Sequence, residues 1–244
     1  MMVTRANSGE RRRRRPTKSG AVLTEQMIID AATRLLRLHG SQGLSVRRLG
    51  VALGADQSAL YRYFSGIDDL RLAIADEMIG RALHGLEITG DWRRDLRDFG
   101  LRGHAAYLAD PQVAVLAASR ITGRPQEARA IELVLGILRT AGLDERRAAY
   151  VYRALVDQML AFAALDGAEL AVPADTRTDD AEKWQSVYAE LSTTDFPNIA
   201  AAADDLVAIG RKSAYPTALD LTLDGIEALL IRRGRHPQEP TLDG

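Results

Sequence analysis

The sequence predicts an all-α protein: an N-terminal three-helix helix-turn-helix domain followed by a larger helical body. Three observations predict it. From Leu23 onward apolar residues recur three and four apart, and no stretch alternates as a half-buried strand would. Helix-breaking residues punctuate those segments at Gly40, Gly54, Gly90, Asp110-Pro111, Pro125, Gly142 and Pro216. The stretch Ser45–Phe64 reads as two short helices around a tight turn. The domains expected are a basic arm at 1–20, the helix-turn-helix domain at 21–66, a helical body at 67–233 and a loose tail at 234–244.

Charge separates the two parts. Residues 1–70 hold 12 Lys/Arg and 6 Asp/Glu, a net of +6, while the rest hold 20 and 27, a net of -7. A basic amino end on an acidic body points to a nucleic-acid partner for the first part alone. With no cysteine there is no disulfide and no thiolate metal site. No apolar run reaches the roughly 18 residues of a membrane span, and no apolar core follows the arginines as in a secretion signal. A cytoplasmic protein with no membrane partner is the simplest expectation.

The elements follow in order. Arg11, Arg12, Arg13, Arg14 and Arg15, with Lys18, lie among Asn, Ser, Gly, Pro and Thr and have no apolar surface to bury. They form either a solubilising tail or an arm that follows DNA phosphates or enters a minor groove. Thr24 caps a first helix, in which Ile28, Ala31, Ala32, Leu35 and Leu38 or His39 share a packing face. Gly40 ends it, with His39 as a helix-end residue or, less simply, a ligand. Ser45 caps the second helix, where Leu49 and Leu53 share a face. Gly54 then supplies a residue tolerant of positive φ. Asp56 or Ser58 caps the third helix. Leu60 and Phe64 point inward, which leaves Gln57, Ser58, Ala59, Arg62 and Tyr63 outside. Beyond, the spacing predicts helices near 67–87, 92–109, 112–121, 126–141, 144–166, 180–191 and 215–233, a short one near 198–209, and a surface loop at 167–180.

The segment from Leu23 to Leu70 resembles the DNA-binding domain of the TetR family of bacterial repressors. The resemblance is carried by Thr24-Glu25, Ala31-Ala32, Gly40, Gly43-Leu44-Ser45-Val46-Arg47, Leu53-Gly54 and Leu60-Tyr61-Arg62-Tyr63-Phe64. The body resembles the tetracycline-repressor branch through Trp92 with Leu96, Thr122-Gly123-Arg124-Pro125, Ala141-Gly142-Leu143, Phe196-Pro197 and Leu219 to Glu227. The resemblance implies a ligand-responsive, DNA-binding repressor that leaves a palindromic operator when a small molecule binds. It implies base contacts from Arg47, Gln57, Ser58 and Ala59. An arginine fork suits guanine, glutamine suits adenine, and the alanine methyl suits thymine. For Arg47 a phosphate contact is equally open. Tyr61 and Tyr63 fall at the family's phosphate-contacting positions, with Tyr61 equally readable as core, and Ser45, Arg48 and Arg62 complete the expected interface. Two departures stand out: Ile67 replaces a phosphate-binding lysine, and Gly50 replaces an alanine, which should loosen the second helix.

The resemblance also implies a cavity in each body, for which Leu83, Phe99, Gly103, His104, Tyr107, Val134, Met159 and Phe162 are candidates; each alone reads equally as plain core. The tetracycline-magnesium ligands do not carry over, because Leu83 and Leu165 stand where a drug-contacting His and a metal-serving Glu would be. A different effector, no metal and no cofactor are expected. The resemblance further implies a homodimer through 144–166 and 215–233. Apolar spacing at Tyr150, Ala154, Leu155, Met159 and Phe162, and at Leu219, Leu223, Ile226 and Leu230, supports either that bundle or burial within one subunit. No metalloprotease, phosphate-loop, nucleophile-elbow or di-iron pattern occurs around His39, His84, His104 or His236, so an enzyme is not expected. The alternatives are an activator or ligand-independent regulator of the same fold, a helical small-molecule carrier that ignores DNA, and a membrane or RNA binder acting through the arm.

Overall fold

Side-chain caps open five of the helices among the described residues. In this computed structural model, residues 22–111, 113, 121–209 and 212–235 are described. The basic arm, most of the helix expected at 112–121 and the tail from 236 lie outside them. Among the described residues every regular element is a helix. Helix α1 spans Glu25–His39 and is opened by the Thr24 hydroxyl, which accepts the Met27 amide at 3.2 Å. Helix α2 spans Val46–Leu53, capped by Ser45 on the Arg48 amide at 3.3 Å. Helix α3 is a single turn, Gln57–Leu60, capped by Asp56 on the Ser58 amide at 2.7 Å. It continues as turns to Phe64, the Tyr63 and Phe64 amides both reaching the Leu60 carbonyl, at 3.0 and 3.1 Å.

The turn between α2 and α3 uses its glycines for different reasons. Gly54 adopts φ 58° and ψ 32°. Its amide bonds Val51 (3.2 Å) while the Ala55 amide bonds Gly50 (3.0 Å), closing a Schellman end that satisfies two helix carbonyls. The expected loosening at Gly50 needs correction. A Cβ there would lie 3.0 Å from the Ala55 carbonyl oxygen, so the glycine permits the close approach that shuts the turn. Leu49, Leu60 and Phe64 are buried with Ile28 and Leu36 of α1. Ile67 lines the same apolar crevice with Val46, Leu49 and Leu70, which explains an isoleucine there on packing grounds.

Helix α4, Ile67–Leu83, is unbroken, yet packing divides the chain within it, into a unit ending at Ile74 and a second beginning at Ala75. The boundary expected at 66/67 therefore falls earlier than the division found. The helix stops short of 87 because Gly85, at φ 69°, turns the chain.

In the second unit α5, Trp92–Ala109, packs against α6 (Pro125–Thr140), α7 (Glu145–Leu170) and α10 (Tyr215–Arg235). Two glycines on α5 allow this. A Cβ at Gly103 would meet the Met159 sulfur at 2.3 Å, and one at Gly100 would meet the Tyr215 hydroxyl at 2.7 Å. Asp95 is buried at the head of α5 and accepts bonds from the Thr89 amide and hydroxyl and the Gly90 amide. Burial pushes its carboxyl up, but those bonds outweigh burial and hold it below the ordinary aspartate value. Leu96, Val134, Leu138, Leu155, Leu219, Leu223 and Ile226 fill the core.

Helices α8 (Ala174–Ala189) and α9 (Pro197–Ile209) pack on each other. The loop expected at 167–180 is not there. Helix α7 runs on to Leu170, and Pro173 opens α8 after a break of only Ala171–Pro173. Proline suits that position because an entering helix has no partner for its first amides.

Candidate nucleic-acid interface and effector cavity

The outward side of α2 and α3 is built by subtraction. Once the cap residues and the inward leucines are used, Arg47, Arg48, Gln57, Ser58, Tyr61 and Arg62 remain exposed, and Ala59 half-buried. Arg47 makes no bond among the described residues, so its guanidinium is available. Arg48 is partly held, donating to the Gln42 carbonyl at 3.4 Å. The Ser45 hydroxyl is half-buried and accepts the Arg48 amide, which leaves its own hydrogen to give. The two tyrosines separate. Tyr61 is 57 % exposed, so it is not a core residue. Tyr63 is half-buried and its hydroxyl donates to the Leu23 carbonyl. A phenol has one hydrogen to give. In this arrangement Tyr63 anchors the chain entering α1 instead of offering that hydrogen to a phosphate. At the start of α4, Asp69 accepts the Ser65 amide at 2.9 Å and Asp68 pairs with Arg71 at 2.9 Å.

The second unit contains a cavity of about 420 Å³. Of the eight candidates, it is lined by Leu83, Phe99, Gly103, Tyr107 and Met159. Three lie elsewhere. Val134 is fully buried core. Phe162 tilts against Tyr215 with ring centroids 5.8 Å apart. His104 is a satisfied interior histidine: its Nε2 lies 2.8 Å from Asp166, which also accepts the Ser213 hydroxyl, and its ring stacks on Tyr215 at 4.5 Å. Serine and histidine both face the carboxylate and do not bond each other, so this is no nucleophile-base arrangement.

Sequence reasoning missed several wall residues: Ile79, Ile131, Tyr152, Val156 and Leu160 among the apolar, Glu127, Arg153 and Asp157 among the polar. A signal existed for one group. Tyr152, Val156, Met159 and Leu160 fall four, seven and eight apart, so the inclusion of Met159 implied the other three. Burial, followed by the charge of Glu127 and the Tyr152 phenol, pushes the Tyr107 hydroxyl up to about 12. Tyr152 is raised by burial and by Glu127 as well. Among the described residues no group of three His, Cys, Asp or Glu comes together as a metal site, and no helix is long and apolar enough to cross a membrane.

Comparisons with known proteins agree in both units. The family model described as bacterial regulatory proteins, tetR family, matches residues 28–74, and the tetracyclin repressor-like C-terminal domain matches residues 85–230. The HTH-type transcriptional repressor DrrR1 of Streptomyces coeruleorubidus is 24% identical over 226 residues, 90% of this chain and 83% of that protein. Apo ActR from Streptomyces coelicolor shares the fold at a TM-score of 0.72, with 22% identity over 86% of this chain and 97% of its own. ActR in complex with actinorhodin matches at 0.71, with 23% identity over 87% and 96%. With the reader motif in the first unit and the cavity-bearing body in the second, the chain belongs to the tetR family of bacterial regulatory proteins, with a tetracyclin repressor-like C-terminal domain.

Proposed function

We propose that two copies of this chain grip a palindromic operator through α3 and release it when a small molecule fills the cavity. The observation that carries the reading is the free outward side of α2 and α3, where Arg47, Gln57, Ser58, Tyr61 and Arg62 are exposed around a fully packed inner face. Arg47 and Gln57 address base edges, while Tyr61 and Arg62 address phosphates. One reader covers few base pairs. A two-fold pair placing α3 in successive major grooves, about 34–36 Å apart, supplies the missing affinity.

On this reading the dimer surface keeps Tyr150 and Ala154 of the residues first expected and leaves out those that are buried. Leu155, Met159, Leu219, Leu223 and Ile226 are buried within the subunit. The exposed side of α7 carries Tyr150 and Ala154 with Ala161 and Leu165, and that of α10 carries Leu221, Gly225, Ala228 and Ile231. Gln158 ties the two helices together through the Ala218 carbonyl (3.2 Å) and the Thr222 hydroxyl (2.9 Å). Tyr150, Leu165 and Leu221 are each more than 60 % exposed, at 69 %, 64 % and 66 %. A row of apolar and small side chains on two adjacent helices suits close packing against the same row of a second copy.

Ile79, Ala82 and Leu83 place the carboxyl half of α4 on the cavity wall. Its amino half belongs to the first unit, and we assign it the transmitting role. The ligand shifts the dimer only by its differential affinity for the two states. Selection of genomic fragments at physiological salt tests the reading. Recovery of a palindrome with half-sites a helical turn or more apart, lost with Gln57→Ala, is the expected result. Binding that is unspecific and indifferent to Gln57 refutes it.

A further inference from the structure

Among the described residues, the cavity wall carries a carboxylate, Glu127, that no cation pairs with. Glu127 sits in the first turn of α6 and uses one carboxylate oxygen, Oε2, to accept the Gly123 amide at 2.8 Å and the Thr122 hydroxyl at 3.0 Å. Its Oε1 makes no bond among the described residues. The positive end of α6 does not neutralise it, because Asp76 already occupies that end. The two Asp76 oxygens accept the Glu127 amide at 2.9 Å and the Gln126 amide at 3.2 Å. Two carboxylates therefore share one helix terminus, equivalent to about half a positive charge. The one cation on the cavity wall, among the described residues, is Arg153, and its guanidinium is engaged with Asp157 at 2.6 Å, in a pair mostly exposed to water. What faces the interior beside Glu127 is apolar wall and two phenols, Tyr107 and Tyr152.

The geometry points to an organic cation as the effector class: an apolar, ring-sized body carrying a protonated amine or quaternary ammonium, seated with its charge against Glu127 between Tyr107 and Tyr152. This rests on the reading of the cavity as the effector site. A buried ammonium needs a partner for its charge, which Glu127 Oε1 provides. Phenol oxygens accept its N–H groups and aromatic faces attract it. An anionic ligand of the same shape meets Glu127 unpaired and is rejected.

Three anthracene probes of one body test this: 9-(aminomethyl)anthracene, positively charged at neutral pH, neutral 9-anthracenemethanol and anionic anthracene-9-carboxylate. Their intrinsic fluorescence reads binding to the full-length protein directly, without DNA. The ammonium is expected to bind tightest, by about tenfold over the alcohol, between the limits of an exposed and a buried ion pair. Glu127→Gln keeps the acceptor for Gly123 and Thr122 and is expected to erase that preference, so that the ammonium binds the variant no tighter than the alcohol does. Leu83→Trp and Ile131→Trp, two independent fillings of the cavity, are expected to abolish all binding. If the fillers abolish binding but the alcohol or carboxylate equals the ammonium, or Glu127→Gln changes nothing, the charge assignment is overturned and the cavity stands. If binding survives both fillers, the cavity itself is wrong and the proposal falls with it. Failure of the ammonium probe to bind overturns the proposal as well.

Discussion

The sharpest test of the interface is the pair Tyr63→Phe and Tyr61→Phe, each of which removes one hydroxyl and nothing else. In Tyr63→Phe the Leu23 carbonyl loses its donor. Leu23 is only 2 % exposed, so water does not readily replace it. A net hydrogen bond is worth about 0.5–1.5 kcal/mol, and a buried acceptor left unpaired brings the loss to about 1–3 kcal/mol. For a chain of this length that corresponds to roughly 2–4 °C in Tm per kcal/mol. Tyr61→Phe removes a hydroxyl from an exposed ring, so stability should not change. Operator affinity should instead fall by about 2- to 12-fold, the equivalent of one neutral hydrogen bond. The salt slope should stay the same, because a neutral phenol displaces no counterion. Thermal melts and fluorescence anisotropy on the selected operator across a salt series read both arms. The reasoning is refuted if Tyr63→Phe leaves Tm untouched and weakens operator binding as much as Tyr61→Phe; the Leu23 bond would then break in the complex and Tyr63 would be a phosphate ligand after all.

Four further outcomes are expected. Gly50→Ala should lower Tm instead of gaining the ~1 kcal/mol usual for Gly to Ala in a helix, since its Cβ meets the Ala55 carbonyl at 3.0 Å; a higher Tm shows that the turn yields freely. Leu221→Arg should give monomers by light scattering, and an intact dimer moves the interface away from α10. Asp95 has a folded-state pKa below its ordinary value, so its contribution is complete above that value and is lost as pH falls from just under 4 through the depressed pKa. Asp95→Asn should therefore cost about 1–3 kcal/mol at neutral pH and flatten the acid limb of urea-unfolding stability; an unchanged limb discards the assignment. Alanine at Arg11–Arg15 should reduce the salt slope by about 0.9 for each phosphate the arm no longer neutralises, and an unchanged slope shows that the arm does not touch DNA.

The first unit was legible because its boundaries are local chemistry. Thr24, Ser45 and Asp56 cap helices whose first amides lie two or three residues away, and Gly54 ends one by backbone conformation alone. Such features need no knowledge of the rest of the fold. In the body, Asp91 caps α5 by the same logic, and the range expected, 92–109, is the range found. Local reading failed where composition and conformation part. Residues 167–180 are rich in Asp, Thr and Ala and look like a loop, yet they continue one helix and open another. A helix whose apolar contacts are few leaves little periodicity to read.

The cavity and the proposed dimer surface share a deeper reason for being hard to read. Periodicity marks the most apolar side of a helix, and that side goes to the subunit core first. On α7 the strongest positions, Leu155 and Met159, are therefore core, and on α10 so are Leu219, Leu223 and Ile226. The surface proposed to close against a second copy is left with weaker marks: Ala154, Ala161, Gly225 and Ala228, exposed and small, between a few larger anchors. The cavity inverts the problem. Its walls are as apolar as core, so no composition separates Phe99, which faces empty space, from Val134, which does not. What singles it out is polar chemistry placed where a core would not tolerate it: Glu127 with one oxygen unused among the described residues, beside two phenols. A carboxylate facing an apolar cavity with no counter-charge among the described residues is costly in a core. That cost is offset only when something enters the cavity to meet it.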